Sequence, residues 1–243
     1  MSEYLSVLLL ALLPAFGNFA GGLLADVFPA SGRTLSLALH GAAGIVLAVV
    51  GVALMPEVLK ADPPWIIVVA FVAGGIFFIL VDQAMSIVQS RIGDEESESN
   101  PWAIFFGVAT DLFSDGVMIG AGSAVALNLG LLLALGQVSA DIPEGFATIT
   151  TFKRHGASRR KRFLLSLLFA VPVLLGATIG YGVLRDEPII AKLALLAFTA
   201  GILITVTVEE IVPQAHKAGE ARLATFVFVG GFALFTLLSI YVK

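Results

Sequence analysis

The sequence WAIFFGVATDLFSDGVMIGAGSAVA occupies residues 102–126 and combines a long apolar run with two aspartates, Asp111 and Asp115. A membrane-spanning helix needs about 20 mostly apolar residues, so this stretch is long enough to cross a bilayer. The aspartates are four residues apart and share one helical face near the middle of the predicted span. Because a charged group at membrane depth costs about 2.5–3.5 kcal/mol on insertion scales, both acids are candidates for function.

The rest of the chain has the same apolar character. Of its 243 residues, 58% are hydrophobic and 13% are charged, and the mean hydropathy is +0.98. Soluble domains average about 45–50% apolar and about 25% charged residues, so this composition indicates an integral membrane protein. The apolar runs predict an all-α, polytopic bundle that forms one transmembrane domain over residues 1–243. The eight predicted spans are Leu5–Leu24, Leu35–Leu59, Trp65–Val88, Trp102–Ala126, Leu129–Phe152, Phe163–Leu184, Ile189–Val212 and Leu223–Val242.

Basic residues in the loops predict the orientation. The segment KRHGASRRKR, residues 153–162, follows the fifth predicted helix and carries six of the 14 Lys and Arg residues. Cytoplasmic loops are enriched in these residues, so this loop is expected inside and both termini outside, in a plasma or inner membrane. The loop also suits contact with anionic membrane lipids. A second inner loop, residues 91–101, is acidic. It is interpreted either as a solvated linker or as a surface that attracts cations.

Composition excludes several classes of function. The net charge of −4 argues against a nucleic-acid-binding surface. The absence of cysteine excludes disulfides, thiolate metal sites and cysteine nucleophiles. The chain has three histidines, too few for an all-histidine metal site within one chain. No Walker motif is present, so direct use of ATP is not expected, and neither is a bound cofactor.

A second pair of acids lies in the fifth predicted helix. Asp141 and Glu144 are three residues apart and share one face, and the short connection around Asn128 makes helices four and five antiparallel neighbours. Neither span contains Lys, Arg or His. Carboxylates that meet in a low dielectric take up protons or bind a cation, so the four oxygen donors indicate a divalent-metal site. Such donors suit Mg²⁺, Ca²⁺ and Mn²⁺, and Zn²⁺ and Fe²⁺ also accept them.

Several nearby residues allow two interpretations. Glu209, Glu210 and His216 near the inner end of helix seven could form an exit relay or be interface charges. Asp82 is interpreted as a structural residue or as support for the site. Glu57 is either a solvated interface acid or an entrance residue, and His40 is interpreted as a packed or interfacial histidine. Pro143 is expected to kink helix five beside its acids, because it lacks an N–H and clashes with the carbonyl of Ser139.

At these residues the sequence resembles the ZIP (ZRT/IRT-like) family of divalent-metal transporters. The helix-five motif of that family, (His/Gln)-x-x-Pro-Glu-Gly, is matched by Ala140–Gly145. Its helix-four motif, His-Asn-x-x-(Asp/Glu)-Gly, is matched by Asp111–Gly116, and its helix-seven motif, His-Glu-x-x-Pro, by Glu209–Pro213. Pro56-Glu57 matches a Pro-Glu pair that is common near the outer end of helix two.

The resemblance implies an eight-helix bundle with kinked helices four and five, often as a homodimer, that moves metal into the cytoplasm by alternating access. It also implies two metal sites. One would use Asp111, Asp115 and Glu144, and the other Asp115, Asp141, Glu144 and Glu210. The chain departs from the family at four donor positions, namely Asp111 for His, Leu112 for Asn, Ala140 for His or Gln, and Glu209 for His. Because imidazole usually favours zinc, these departures open the site to Mn²⁺, Fe²⁺ or Cd²⁺.

Three alternatives remain at the level of sequence. The same acids could carry protons or a small organic cation. Two aspartates could also act as an acid–base pair in an intramembrane enzyme, although the Gly-x-Gly-Asp motif of presenilin-type proteases is absent near Asp111, Asp115 and Asp141. A purely structural scaffold would tolerate neutral substitutions of the acids. The expected function is therefore metal transport rather than catalysis.

Overall fold

The computed structural model describes residues 3–28, 31–92, 101–218 and 223–242, and these residues form long helices without strands. We number the long helices in chain order: α1 Glu3–Val27, α2 Gly32–Val58, α3 Trp65–Ile92, α4 Pro101–Val125, α5 Leu127–Arg154, α6 Arg159–Leu184, α7 Ile189–Lys217 and α8 Ala224–Val242. Each helix coincides with one predicted span to within a few residues. The acidic segment 93–100, most of the predicted variable loop, lies outside the described residues.

Six of these helices are long and apolar enough to cross a membrane, namely α1, α2, α3, α6, α7 and α8. The other two, α4 and α5, carry the acids Asp111, Asp115, Asp141 and Glu144. Large apolar side chains cover the outside of the bundle, and Val68 and Ile76 of α3 and Phe226 of α8 are examples. Soluble proteins rarely expose such continuous apolar surface, so the fold is that of an all-helical membrane protein. The count of eight spans remains a prediction.

Two helices contain a wide, π-helical turn just before a proline. In α2 this turn is Val49–Leu54 and precedes Pro56, and in α7 it is Thr207–Ile211 and precedes Pro213. Proline cannot donate to the carbonyl four residues earlier and crowds it, so a wider turn accommodates the ring without ending the helix. Pro143 differs, because α5 is helical throughout Leu127–Arg154. The predicted kink at Pro143 therefore stays a prediction.

The helices pack in four close pairs: α1 with α5, α4 with α6, α2 with α8, and α3 with α7. In the first pair, Gly21 of α1 faces the backbone of Ile142, and Gly145 of α5 faces the backbone of Asn18. Any side chain at these glycines would overlap a carbonyl of the partner helix. The same reciprocal contacts join the other pairs, through Gly116 and Gly176, through Gly44 and Gly231, and through Gly74 and Gly201.

These pairings follow an internal two-fold pattern. Exchanging α1 with α6, α4 with α5, α2 with α7 and α3 with α8 converts the four pairs into one another. The acid-bearing helices α4 and α5 are equivalent partners at the centre of this pattern. They also contact each other, as expected from the short connection between Val125 and Leu127. The sequence-based expectation that α4 and α5 are antiparallel neighbours is therefore confirmed.

An ion pair joins two helices at the end of the bundle that carries residues 153–162, which we call the basic end. Arg162, at the start of α6, donates from its guanidinium to Asp26 near the end of α1, with a shortest distance of 2.6 Å between Nη2 and Oδ1. Both side chains are nearly buried, with exposed fractions of 11% and 12%. Arg159 reaches the same carboxylate at 3.8 Å but is 84% exposed.

Candidate metal centre

Three carboxylates converge between α4 and α5. Asp111, Asp141 and Glu144 each present one oxygen, and these three oxygens lie within 4.8 Å of one another. Asp141 and Glu144 also line one cavity together with Asp111. Ligand oxygens on opposite sides of an ion, at metal–oxygen distances of about 2.0–2.4 Å, are at most about 4.8 Å apart. The cluster therefore has the size of a metal coordination shell.

Asp115 lies one helical turn from Asp111 and is fully buried. Gln137 of α5 donates from Nε2 to Oδ1 of Asp115. The other carboxylate oxygen, Oδ2, has no hydrogen-bond partner among the described residues, and the same is true of Oδ2 of Asp141 and Oε1 of Gln137. Leaving a buried polar atom unpaired costs about 1–3 kcal/mol, and more for a charged group. Buried carboxylates of this kind either take up a proton or bind a cation.

Gln137 is not among the site residues that the sequence predicted. It precedes Asp141 by four residues and Glu144 by seven, so the three side chains lie along one face of α5. Its exposed fraction is 3%, and it lines the same cavity as the two acids. The helical spacing indicates that Gln137 shares a face with the two acids. A neutral amide in an apolar span is, however, a weaker indication of function than a charged group.

Two cavities meet at the cluster. We call the first the acid cavity; it has a volume of about 60 Å³ and lies between α2, α4, α5 and α7. The second, the side cavity, has a volume of about 140 Å³ and lies between α3, α4 and α7. Asp111 and Glu210 line both cavities, so they stand at the boundary between them. No Lys, Arg or His of the described chain lines either cavity.

The two glutamates of α7 occupy different positions. Glu210 lines both cavities together with Asp111, and it lines the side cavity together with Asp82. Glu209 lines neither cavity. The structure therefore brings Glu210 to the predicted site and leaves Glu209 outside it. Asp82, interpreted from sequence as a supporting residue, is exposed and lines the side cavity.

His40 and His216 meet near the basic end, which the sequence did not predict. Their ring centroids are 5.0 Å apart in an edge-to-face arrangement. The Nδ1 atoms are 2.7 Å from the carbonyl oxygen of Ser36 and 2.8 Å from that of Val212, respectively. Since a carbonyl oxygen only accepts, each Nδ1 carries the proton and Nε2 is left with its lone pair in the neutral ring. His40 is thus packed, as expected, and its ring contact is His216.

Glu57 lies at the opposite end of the bundle. It lines a separate cavity of about 170 Å³, here called the distal cavity, together with Pro56 and Asn128. Its carboxylate accepts hydrogen bonds of 2.7 and 2.8 Å from Lys60. Among the residues that the structure describes, none lines both the distal cavity and the acid cavity. Glu57 is therefore a paired acid at the mouth of a second opening.

Comparisons with known proteins show which family this chain is related to. The family model described as ZIP zinc transporter matches residues 95–239. The zinc transporter ZupT of Chlorobium phaeovibrioides is 31% identical, with 98% of each chain covered. The zinc transporter GufA of Myxococcus xanthus is 28% identical over 66% of this chain and 65% of its own. The human zinc transporter ZIP4 is 26% identical over 58% of this chain and 22% of its own.

The family match covers more than half of the chain, and the ZupT relative aligns over nearly all of it. The relatives are named as transporters rather than enzymes, which agrees with the expectation from sequence. Together with the apolar helices, they make this a multi-pass membrane protein whose transported substrate is a divalent metal ion. The chain belongs to the ZIP family of zinc transporters.

Proposed function

We propose that this protein moves divalent cations, Zn²⁺ and Mn²⁺ among them, toward the cytoplasm by alternating access. The observation that carries the proposal is the cluster of Asp111, Asp141 and Glu144, with their three oxygens within 4.8 Å. The unpaired buried oxygens of Asp115 and Asp141 lie beside it. A divalent ion is the ligand that neutralises such a set.

The donor chemistry supports a broad metal selectivity. Of the described residues that line the acid cavity, every donor side chain is a carboxylate or an amide. Oxygen ligands suit Mn²⁺ and other hard ions, whereas imidazole and thiolate favour softer ones. Zinc also accepts carboxylates, and the relatives are named as zinc transporters. We therefore propose that Mn²⁺ competes with Zn²⁺ more effectively here than at a histidine-containing site.

The size of the acid cavity argues against an organic cation. Pockets for drug-sized molecules measure about 300–1,000 Å³, whereas the acid cavity measures about 60 Å³. A partly hydrated metal ion fits this space. The apolar part of its lining, which includes Leu39, Val46 and Leu203, offers no hydrogen bonds to a larger polar molecule.

The side cavity is the proposed exit. From the cluster, Asp111 leads to Glu210 and then to the exposed Asp82, so three acids mark a route between α3, α4 and α7. Under the predicted orientation this route runs toward the cytoplasm. A line of carboxylates lowers the electrostatic cost of a cation that leaves the membrane centre.

On the other side an apolar layer separates the cluster from the distal cavity. Along α5, Leu132 lines the distal cavity and Gln137 lines the acid cavity, and five residues of helix span about 7.5 Å. Leu133 lies between them and is fully buried, as is Val49 of α2. This buried apolar layer supports an inward-facing state of the protein, in which the cluster is closed off from the outside.

Alternating access requires this layer to open while the exit closes. The acids lie on α4 and α5, which pair with α6 and α1, whereas the cavity walls come from α2, α3 and α7. The close glycine contacts join α1 with α5 and α4 with α6, and separately α2 with α8 and α3 with α7. We propose that these two sets of helices move relative to each other as units.

Metal uptake into proteoliposomes tests the function. Wild-type protein is expected to accumulate Zn²⁺ and Mn²⁺, and the Glu144→Ala variant is expected to insert but to lose transport. The matched control is Glu57→Ala, which removes an acid at the distal cavity and is expected to keep most of the uptake. Wild-type rates in Glu144→Ala would contradict the role assigned to the cluster.

A further inference from the structure

Ala140 stands where the family motif has a histidine or glutamine, so the expected donor is missing. A methyl group cannot coordinate a metal. The structure places a different amide in the same cavity: Gln137, one helical turn earlier in α5, lines the acid cavity together with Ala140. We propose that Gln137 is a metal-binding residue of this transporter and replaces the donor that is absent at position 140.

The surroundings of Gln137 support this role. Its exposed fraction is 3%, so its amide is removed from water. Nε2 donates to Oδ1 of Asp115, and Oε1 has no partner in the described part of the chain. An amide that used both ends for structure would pair both, because a lone buried carbonyl is costly. The donor end is used to orient Asp115, and the acceptor end is left for a ligand.

Three unpaired oxygens belong to the same group of side chains. They are Oδ2 of Asp115, Oε1 of Gln137 and Oδ2 of Asp141. Asp115 and Gln137 are in direct contact, and Gln137 and Asp141 line the same cavity. Gln137 and Asp141 are four residues apart on one face of α5, a spacing that brings side chains together. A cation between them would satisfy all three.

A neutral amide oxygen changes the site in a specific way. It adds a ligand without adding a negative charge to a cluster that already contains several carboxylates. Amide and carboxylate oxygens are hard donors, which favour Mn²⁺ relative to a site that contains imidazole. Gln137 should therefore contribute to affinity for both metals and support the transport of Mn²⁺ in particular.

The test uses the full-length protein and rests on the proposed function. Uptake of Mn²⁺ and Zn²⁺ into proteoliposomes is measured for wild type, Gln137→Leu and the double variant Gln137→Leu/Ala140→Gln. Loss of one supporting partner at a metal site typically costs 10–100-fold in affinity. We expect Gln137→Leu to raise KM for Mn²⁺ at least roughly tenfold. The double variant, which returns an amide to the family position, should recover most of this loss.

Two controls separate binding from folding. Ser139→Ala changes an exposed neighbour whose hydroxyl bonds within α5, and it should keep the wild-type KM. Metal-dependent melting of purified protein in detergent gives a readout independent of transport: Mn²⁺ should raise the melting temperature of wild type more than that of Gln137→Leu.

The possible results are distinct. A wild-type KM for both metals in Gln137→Leu would overturn the inference while leaving the proposed function intact. If Gln137→Leu lowers both the uptake rate and the melting temperature, and adding Ala140→Gln restores neither, Gln137 has a structural role only. This result would also overturn the inference. A wild-type protein that neither transports nor is stabilised by Mn²⁺ and Zn²⁺ would overturn the proposed function itself.

Discussion

One carboxylate oxygen of Asp111 on α4 lies within 4.8 Å of a carboxylate oxygen of Glu144 on α5, across the interface between the two helices. Two carboxylates this close in a low dielectric repel each other unless one takes up a proton or a cation lies between them. A proton would hold this pair together without metal, and a divalent cation would do so when metal is bound. A substitution at this pair should therefore change both the stability of the metal-free protein and its response to metal.

The Asp111→Asn variant should separate stability from metal binding. An amide can donate to Glu144 permanently and removes one like charge from the cluster, so the metal-free protein is expected to melt at a higher temperature than wild type. At a metal concentration of 100 times Kd, binding stabilises wild type by about 2.7 kcal/mol, and a tenfold weaker Kd reduces this to about 1.4 kcal/mol. Melting curves in detergent with and without Mn²⁺ measure both effects.

Ser114→Ala is the control for this experiment, because it changes a neighbouring polar residue of the side cavity and keeps all the acids. It should retain the wild-type response to metal. An unchanged metal response in Asp111→Asn would remove this aspartate from the site.

Close contact between α4 and α6 depends on Gly176. A Cβ atom at this position would overlap the carbonyl oxygen of Phe113 and lie 2.9 Å from the nitrogen of Val117. Overpacking typically costs about 1–3 kcal/mol, so Gly176→Ala is expected to lower the melting temperature and the yield of folded protein. Gly182 is the matched control on the same helix, because an added Cβ there meets no atom of the described residues within 4 Å.

Gly182→Ala should be neutral or slightly stabilising, since alanine has the higher helix propensity. Gel filtration of heated detergent extracts compares the two variants. If Gly176→Ala and Gly182→Ala retained the same fraction of folded protein after heating, the contact of α4 with α6 would not limit stability.

The sequence predicted the helices and the acids of the site, but not how the helices pair. Long apolar runs give the position of each helix because the thickness of the bilayer fixes the required length. The carboxylates were informative because charge at membrane depth is costly. Pairing instead depends on reciprocal contacts such as those of Gly21 and Gly145, which lie on different helices and become meaningful only in three dimensions.

The sequence also could not decide which glutamate of α7 faces the cluster. Facing positions are usually inferred from 3.6 residues per turn, but Glu209 and Glu210 lie in the π-helical turn Thr207–Ile211. Each π turn holds more residues than an α turn and rotates the side chains that follow. The family motif indicated both residues, and the structure brings only Glu210 to the described cavities.

The ion pair at the basic end should stabilise the contact between α1 and α6. Removing one partner from a buried pair leaves an uncompensated charge and costs roughly 3 kcal/mol. Arg162→Ala is therefore expected to lower the melting temperature clearly. Arg159→Ala is the matched control, because this residue approaches the same Asp26 from an 84% exposed position, where ion pairs contribute about 0–1 kcal/mol.

Thermal melting in detergent at low and high salt checks both arginine variants. The Arg162 effect should persist at high salt, since nearly buried charges are screened little. If Arg159→Ala proved as destabilising as Arg162→Ala, burial would not be what makes this contact strong.

Neighbouring substitutions in α7 test whether the exit passes Glu210. Glu210→Gln removes the charge that stands between Asp111 and Asp82, so metal uptake should fall at least roughly tenfold, the lower end of the effect of losing a partner at a metal site. Glu209→Gln removes an equal charge one residue away, outside both cavities, and should change uptake less than about twofold. Both glutamines preserve side-chain volume, so folding should not differ between them, which the amount of protein recovered in proteoliposomes checks. Comparable losses of uptake in the two variants would mean that both glutamates act through the general charge of this helix end, and the route through the side cavity would then be wrong.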